Sequence, residues 1–183
     1  PHRFLHPAGR GLRVVRAFLR SFVYAANGIL VAVKEERNLR FHLCAAVYVY
    51  LFSLFYGFGR MEYLLLTILV AGVIALELVN SAFERTVSRP SPKRYVTAGV
   101  VKDMAAGAVL VFSIGAAVCG VWLFWDTSVF AQIGAYFLSR PVMLVLLLAS
   151  LAGSCWFIFF LKAGAKPDPK ENDHWPNKQD PSS

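Results

Sequence analysis

The sequence predicts an all-α membrane protein, and three observations carry that reading. Of 183 residues, 57% are hydrophobic and only 16% charged, against about a quarter charged in a typical soluble domain. The charges are segregated, with long uncharged stretches alternating with short clusters of Arg, Lys, Asp and Glu. Four largely apolar stretches, at 41–58, 63–83, 104–125 and 142–161, qualify against the roughly 20 residues that a helix needs to cross a bilayer. In lipid they must be helical, because backbone groups find no water there.

The first element, 14–33, is different. Its uncharged part is too short to span, and Arg13, Arg16 and Arg20 recur along one side at helical spacing. That pattern suits an amphipathic helix lying in the interface, with Phe18, Phe22 and Leu30 dipping into lipid. A short or tilted extra span is the alternative. The flanking charges and the missing A-x-A-like site argue against a cleavable signal.

The next elements are the four spans, and their orientation follows from Lys and Arg. The first connection holds only Arg60, against Glu62, whereas the second, at 84–103, holds Arg85, Arg89, Lys93, Arg94 and Lys102. The third holds Asp126 and Arg140, and the tail holds Lys162, Lys166, Lys170 and Lys178. Rich and poor ends alternate, so the N-terminus, second connection and tail are expected on the cytoplasmic side of a bacterial inner membrane. From 163 to 183 the polar, Pro-rich composition predicts a disordered tail.

A net charge of +8 sitting beside hydrophobic spans points to anionic lipid and membrane orientation, not to nucleic acid. Cys44, Cys119 and Cys155 lie in apolar stretches, with a spacing that suits no metal site, and read as packing residues. Small residues between Ala105 and Ala117 in the third span allow close helix approach.

Glu77 is the most informative residue. A charge inside an apolar helix costs about 2.5 to 3.5 kcal/mol on insertion scales, so it marks function by default. Asn80 and Glu84 follow at i+3 and i+7, placing all three on one helical face. Glu84 then lies about 10 Å along the axis, toward the cytoplasmic end. Glu35, Glu36, Lys102 and Asp103 belong to the same side of the membrane. Carboxylates there can hold Mg²⁺ against phosphate oxygens, and a Lys can neutralise a transferring phosphoryl group. The bland alternative is an intramembrane Glu that merely pairs with Arg or bonds across helices. There is no G-x-x-x-x-G-K-[ST] loop. The residues alone reach only a polar, cytoplasmic-side site in a helical bundle.

A resemblance goes further. The run from Ala75 to Arg85, with its E-x-x-N-[ST]-A-x-E core at Glu77, Asn80, Ser81, Ala82 and Glu84, is similar to the signature of the prokaryotic diacylglycerol kinase and undecaprenol kinase family. Lys102-Asp103-Met104-Ala105-Ala106-Gly107 resembles that family's second element, at the family's separation. The motif from Glu36 to His42 (Glu-Arg-Asn-x-Arg-x-His) resembles the undecaprenol branch more than the diacylglycerol branch.

The resemblance implies a membrane lipid kinase that moves the ATP γ-phosphoryl group to a lipid hydroxyl with Mg²⁺. It implies Glu77 as general base with Asn80 as its partner, and Glu36 and Glu84 as metal-holding carboxylates. Lys102 and Asp103 would contact the nucleotide, Tyr24 would stand near it, and Arg40 would stand near the lipid. A homotrimer is implied, with three spans and one interfacial helix per chain and sites shared between subunits.

The expected division is an N-terminal segment 1–13, a lipid kinase domain 14–125, a loop plus added span 126–162, and the tail 163–183. Two departures stand out. Lys93-Arg94-Tyr95 replaces the family's Glu-Tyr-His, and Ser88 replaces an Asp, which puts nucleotide contacts of that loop in doubt. The span near Val142 is an addition. A non-enzymatic bundle conducting ions or protons through Glu77 is the alternative, and it leaves Lys102 and Asp103 unexplained.

Overall fold

A helix surrounded by lipid has no reason to keep apolar residues only on its inner face, and these helices are apolar all round. Leu64, Ile68, Leu110, Val111, Val145 and Leu146 are among many large hydrophobic side chains that stand exposed. The computed structural model describes residues 8–87 and 95–161, and every regular element among them is helical. In chain order these are α1 (Ala8–Glu35), α2 (Arg37–Ser53), α3 (Arg60–Val87), α4 (Tyr95–Phe124), α5 (Thr127–Ser139) and α6 (Pro141–Phe160). Ser88, Lys93, Arg94 and the tail from 163 lie outside the described residues.

Three of the four expected spans form as long helices, and two of them run further. α3 and α4 extend to 28 and 30 residues. Lys102 and Asp103 therefore lie inside α4, about two turns past its start, instead of opening it. α6 begins with Pro141 in its first turn, where the missing N–H costs nothing.

Three boundaries differ from the sequence reading. α1 is one continuous 28-residue helix, and its stretch Arg16–Glu35 is long and apolar enough to cross a membrane. The Arg side chains do not exclude that, because their long stems let charged heads reach the interface. α2 stops at Ser53 after 17 residues, about 25 Å at 1.5 Å per residue. It is thus shorter than the stretch 41–58. The chain turns at Gly57, whose φ of 59° is open to glycine at little cost. The third connection, read as a loop, contains α5. Asp126 caps it, accepting bonds from the Ser128 and Val129 N–H groups at 2.9 and 3.4 Å.

α3 and α4 pack along each other most extensively. They come close at Gly72, where a Cβ would collide with the Phe112 ring. The small residues of α4 behave otherwise, since a Cβ at Gly107 or Gly115 would meet nothing within 4 Å.

The up-and-down path sorts the bundle's ends by chemistry. One end collects the C-termini of α1, α3 and α6 with the N-termini of α2 and α4, and it carries Lys34, Glu35, Glu36, Arg37, Arg40, Glu84, Arg85, Lys102 and Asp103. The other end is aromatic. Tyr56 and Phe58 pack edge-on against Phe124 with ring centroids 4.9 and 5.2 Å away, and the Tyr56 hydroxyl donates to the Phe124 carbonyl at 3.0 Å.

Candidate active site

The site begins at the corner between α1 and α2. Glu36 breaks the helix there, with φ −101° and ψ 111°, so the α2 axis departs from that of α1 and Glu35 and Glu36 turn toward α3. The Arg85 guanidinium pairs with Glu35 at 2.8 Å, tying the corner to the end of α3.

Glu77 stands in the middle of this arrangement. It is 4% exposed, on the buried face of an otherwise apolar helix. His42 of α2 brings its Nε2 to 3.4 Å from Glu77 Oε1. The negative charges of Glu36 and Glu84 both reach Glu77 electrostatically. One turn on, the Asn80 Oδ1 is buried with no hydrogen-bond partner among the described residues. Such an oxygen at a functional site asks for a donor or cation from outside the chain. Glu84 meets the Lys102 ammonium across the α3–α4 interface at 3.8 Å.

The structure therefore brings together Glu36, Glu77, Asn80, Glu84 and Lys102. Asp103 is exposed beside Lys102. Tyr24 is not brought to the cluster within one chain. It is 70% exposed, on a stretch of α1 in which every residue from Arg16 to Val31 is exposed.

Arg40 is also placed apart from an open ligand position. It is 4% exposed, and its guanidinium is occupied by main-chain carbonyls. Nη1 donates to Val33 and Lys34 at 3.0 and 2.9 Å, and Nε and Nη2 donate to Ile158 at 3.3 and 3.0 Å.

One residue without a role in the sequence reading, and one contact it did not give, belong here. His42 was part of a recognised motif but had no role, and only α2–α3 packing puts it against Glu77. Glu35 gains its meaning from Arg85, fifty residues away. Neither signal is local.

The acid cluster adjoins an apolar groove at His42. The groove, of about 470 Å³, runs between α2, α3 and α4, with Phe41 and His42 at one end and Gly120 and Phe124 at the other. Its walls include Ala45, Val49, Leu66, Val73 and Ala117.

No group of three or more His, Cys, Asp or Glu able to hold a metal occurs among the described residues. The site offers paired carboxylates on facing helices, a buried amide oxygen, a lysine and a groove for an apolar chain. Mg²⁺ fits such a donor set, because it is usually held by one or two carboxylates together with substrate phosphates.

Comparison with known proteins decides the family. The family model for prokaryotic diacylglycerol kinase matches residues 23–124. The chain belongs to the prokaryotic diacylglycerol kinase family.

Its relatives agree. The chain is 36% identical over 107 residues to an undecaprenol kinase of Bacillus subtilis, covering 58% of this chain and 87% of the relative. It is 30% identical over 112 residues to a diacylglycerol kinase of Haemophilus influenzae, covering 61% of this chain and 91% of the relative. No solved structure matches significantly. As a member of the prokaryotic diacylglycerol kinase family, the chain is a multi-pass membrane lipid kinase with ATP as co-substrate. The family match ends at residue 124, before α5 and α6.

Proposed function

We propose that this kinase phosphorylates a long-chain lipid alcohol of the undecaprenol type, with Glu77 as general base. The observation that carries the reading is Glu77 itself: buried at bilayer depth, beside an apolar groove, and within electrostatic reach of Glu36 and Glu84. The relative named undecaprenol kinase and the Glu36-to-His42 motif favour a polyprenol over diacylglycerol.

In this mechanism the lipid hydroxyl enters from the groove past His42. Glu77 takes the hydroxyl proton as the lipid oxygen bonds to the γ-phosphorus, and the bond to the ADP oxygen breaks. Asn80 orients the hydroxyl or its water through the unpartnered Oδ1. Glu36 and Glu84 would hold Mg²⁺, which when bound would neutralise phosphate charge. Lys102 places positive charge at the transferring group, and Asp103 contacts the nucleotide. Transfer of this kind needs positioning and electrostatics more than covalent chemistry from the protein.

The site faces the cytoplasm of a bacterial inner membrane in this reading. Lys34, Arg37, Arg85 and Lys102 cluster at its end of the bundle, which fits the positive-inside rule. The active assembly is a homotrimer, in which an exposed Tyr24 reaches a neighbour's site.

The test offers purified protein in bilayers labelled Mg-ATP with undecaprenol and diacylglycerol side by side. Faster labelling of undecaprenol is expected. Preference for diacylglycerol would reverse the substrate assignment. Proton flux without any ATP turnover would instead support the conducting bundle.

A further inference from the structure

The family match leaves α5 and α6 unexplained, and the structure gives α6 a specific seat. It runs antiparallel along α2. The Arg37 guanidinium lies 5.7 Å over the Phe159 ring. The Tyr48 hydroxyl meets Ser150 Oγ and Ser154 Oγ at 3.2 and 3.0 Å. Between these contacts Arg40 bonds the Ile158 carbonyl through two nitrogens.

Arg40 also holds the carbonyls of Val33 and Lys34, in the last turn of α1 before the Glu36 break. One buried guanidinium thus closes two helix C-termini. Those carbonyls have no partner within their own helices, and each helix end carries about half a negative charge. A buried cation is tolerable there because both ends compensate it. The planar fork serves several carbonyls at once, which an ammonium cannot reproduce.

We propose that Arg40 is a positioning residue that couples α6 to the α1–α2 corner, so that the C-terminal helix fixes the placement of Glu36 and with it the affinity for Mg-ATP. Arg40 does not reach the lipid. The inference rests on the assignment of Glu36 to Mg-ATP in the proposed function.

The experiment uses the full chain in bilayers, with Arg40→Lys and with the double change Tyr48→Phe and Ser154→Ala. The double change loosens α6 about three turns of α2 away from the corner and leaves the corner's own bonds in place. Two quantities are read: amide hydrogen exchange across residues 34–40 without nucleotide, and Mg-ATP binding without lipid.

Arg40→Lys is expected to speed exchange at the corner and to weaken Mg-ATP binding by about tenfold, the usual scale for residues that orient a metal ligand. The lipid KM should hold. The double change should shift both quantities the same way by less. A raised lipid KM with unchanged exchange and nucleotide binding would overturn the inference, as would a double change that leaves the corner as in wild type. Exchange does not depend on turnover, so failure of Glu77 as base and failure of this coupling are read separately.

Discussion

The two ends of the bundle solve opposite problems with the same helices. At the aromatic end, Tyr56, Phe58, Phe124 and Phe130 interlock, and the Tyr56 hydroxyl is paired with the Phe124 carbonyl. At the acidic end, Glu77 is buried among like charges and the Asn80 Oδ1 is left without a partner. Stability is built at one end and withheld at the other. The difference teaches where to expect chemistry: a site keeps charges that folding alone would remove.

If that contrast is right, substitutions at the acidic end change catalysis and spare stability, and those at the aromatic end do the reverse. The largest effect short of replacing Glu77 belongs to Glu36 and Glu84, the pair proposed to hold the metal. Glu36→Gln and Glu84→Gln should each raise the Mg²⁺ concentration needed for half-maximal transfer by about tenfold to a hundredfold, with thermal unfolding little changed. Metal titration of the transfer rate checks this.

Phe58→Ala sharpens the other side. It should cost about 2 kcal/mol of stability, below the range for a fully buried Phe because this ring is only partly covered. Transfer per folded molecule should be retained. Denaturation in detergent together with specific activity separates the two.

Lys102→Ala should raise the KM for ATP several-fold and leave stability almost unaltered. Its pair with Glu84 is 3.8 Å long with the lysine half exposed, and such pairs are worth about 0 to 1 kcal/mol.

The smallest effect concerns Asp126, at the aromatic end but outside the spans. Hydrogen bonds from the Ser128 hydroxyl and from the Ser128 and Val129 N–H groups hold its carboxyl below the ordinary value of 3.8. A depressed carboxyl stabilises the fold above its unfolded value and loses that contribution as pH falls through the folded one. The α5 cap should therefore be insensitive to pH near neutrality and weaken only in acid below 3.8. Helicity followed against pH, in wild type and Asp126→Ala, tests this. Only wild type should lose helicity on acidification.

These regions were not equally legible in the sequence. The Glu77, Asn80 and Glu84 stripe could be read directly, because i, i+3 and i+7 share a face of any helix. The apolar stretches gave three of the long helices for the same local reason. The end of α2 was misjudged because hydropathy continues through Leu54 and Phe55, while the backbone turns at Gly57. The α5 helix hid behind its own cap, since Asp126 was read as a topological charge. Arg40 was the hardest case. Its partners are carbonyls of α1 and α6, and main-chain acceptors 118 residues away leave no mark on a sequence. His42 likewise needed the packing of α2 on α3.

What remains is the carboxylate on which the reading turns. The most direct measurement is phosphoryl transfer by Glu77→Gln beside wild type in the same bilayers, with helicity and unfolding monitored on both. The isosteric amide keeps size and removes the proton acceptor. A fall of at least about a hundredfold is predicted, the scale on which general bases act, in a protein as folded as wild type. Transfer at the wild-type rate would contradict the account.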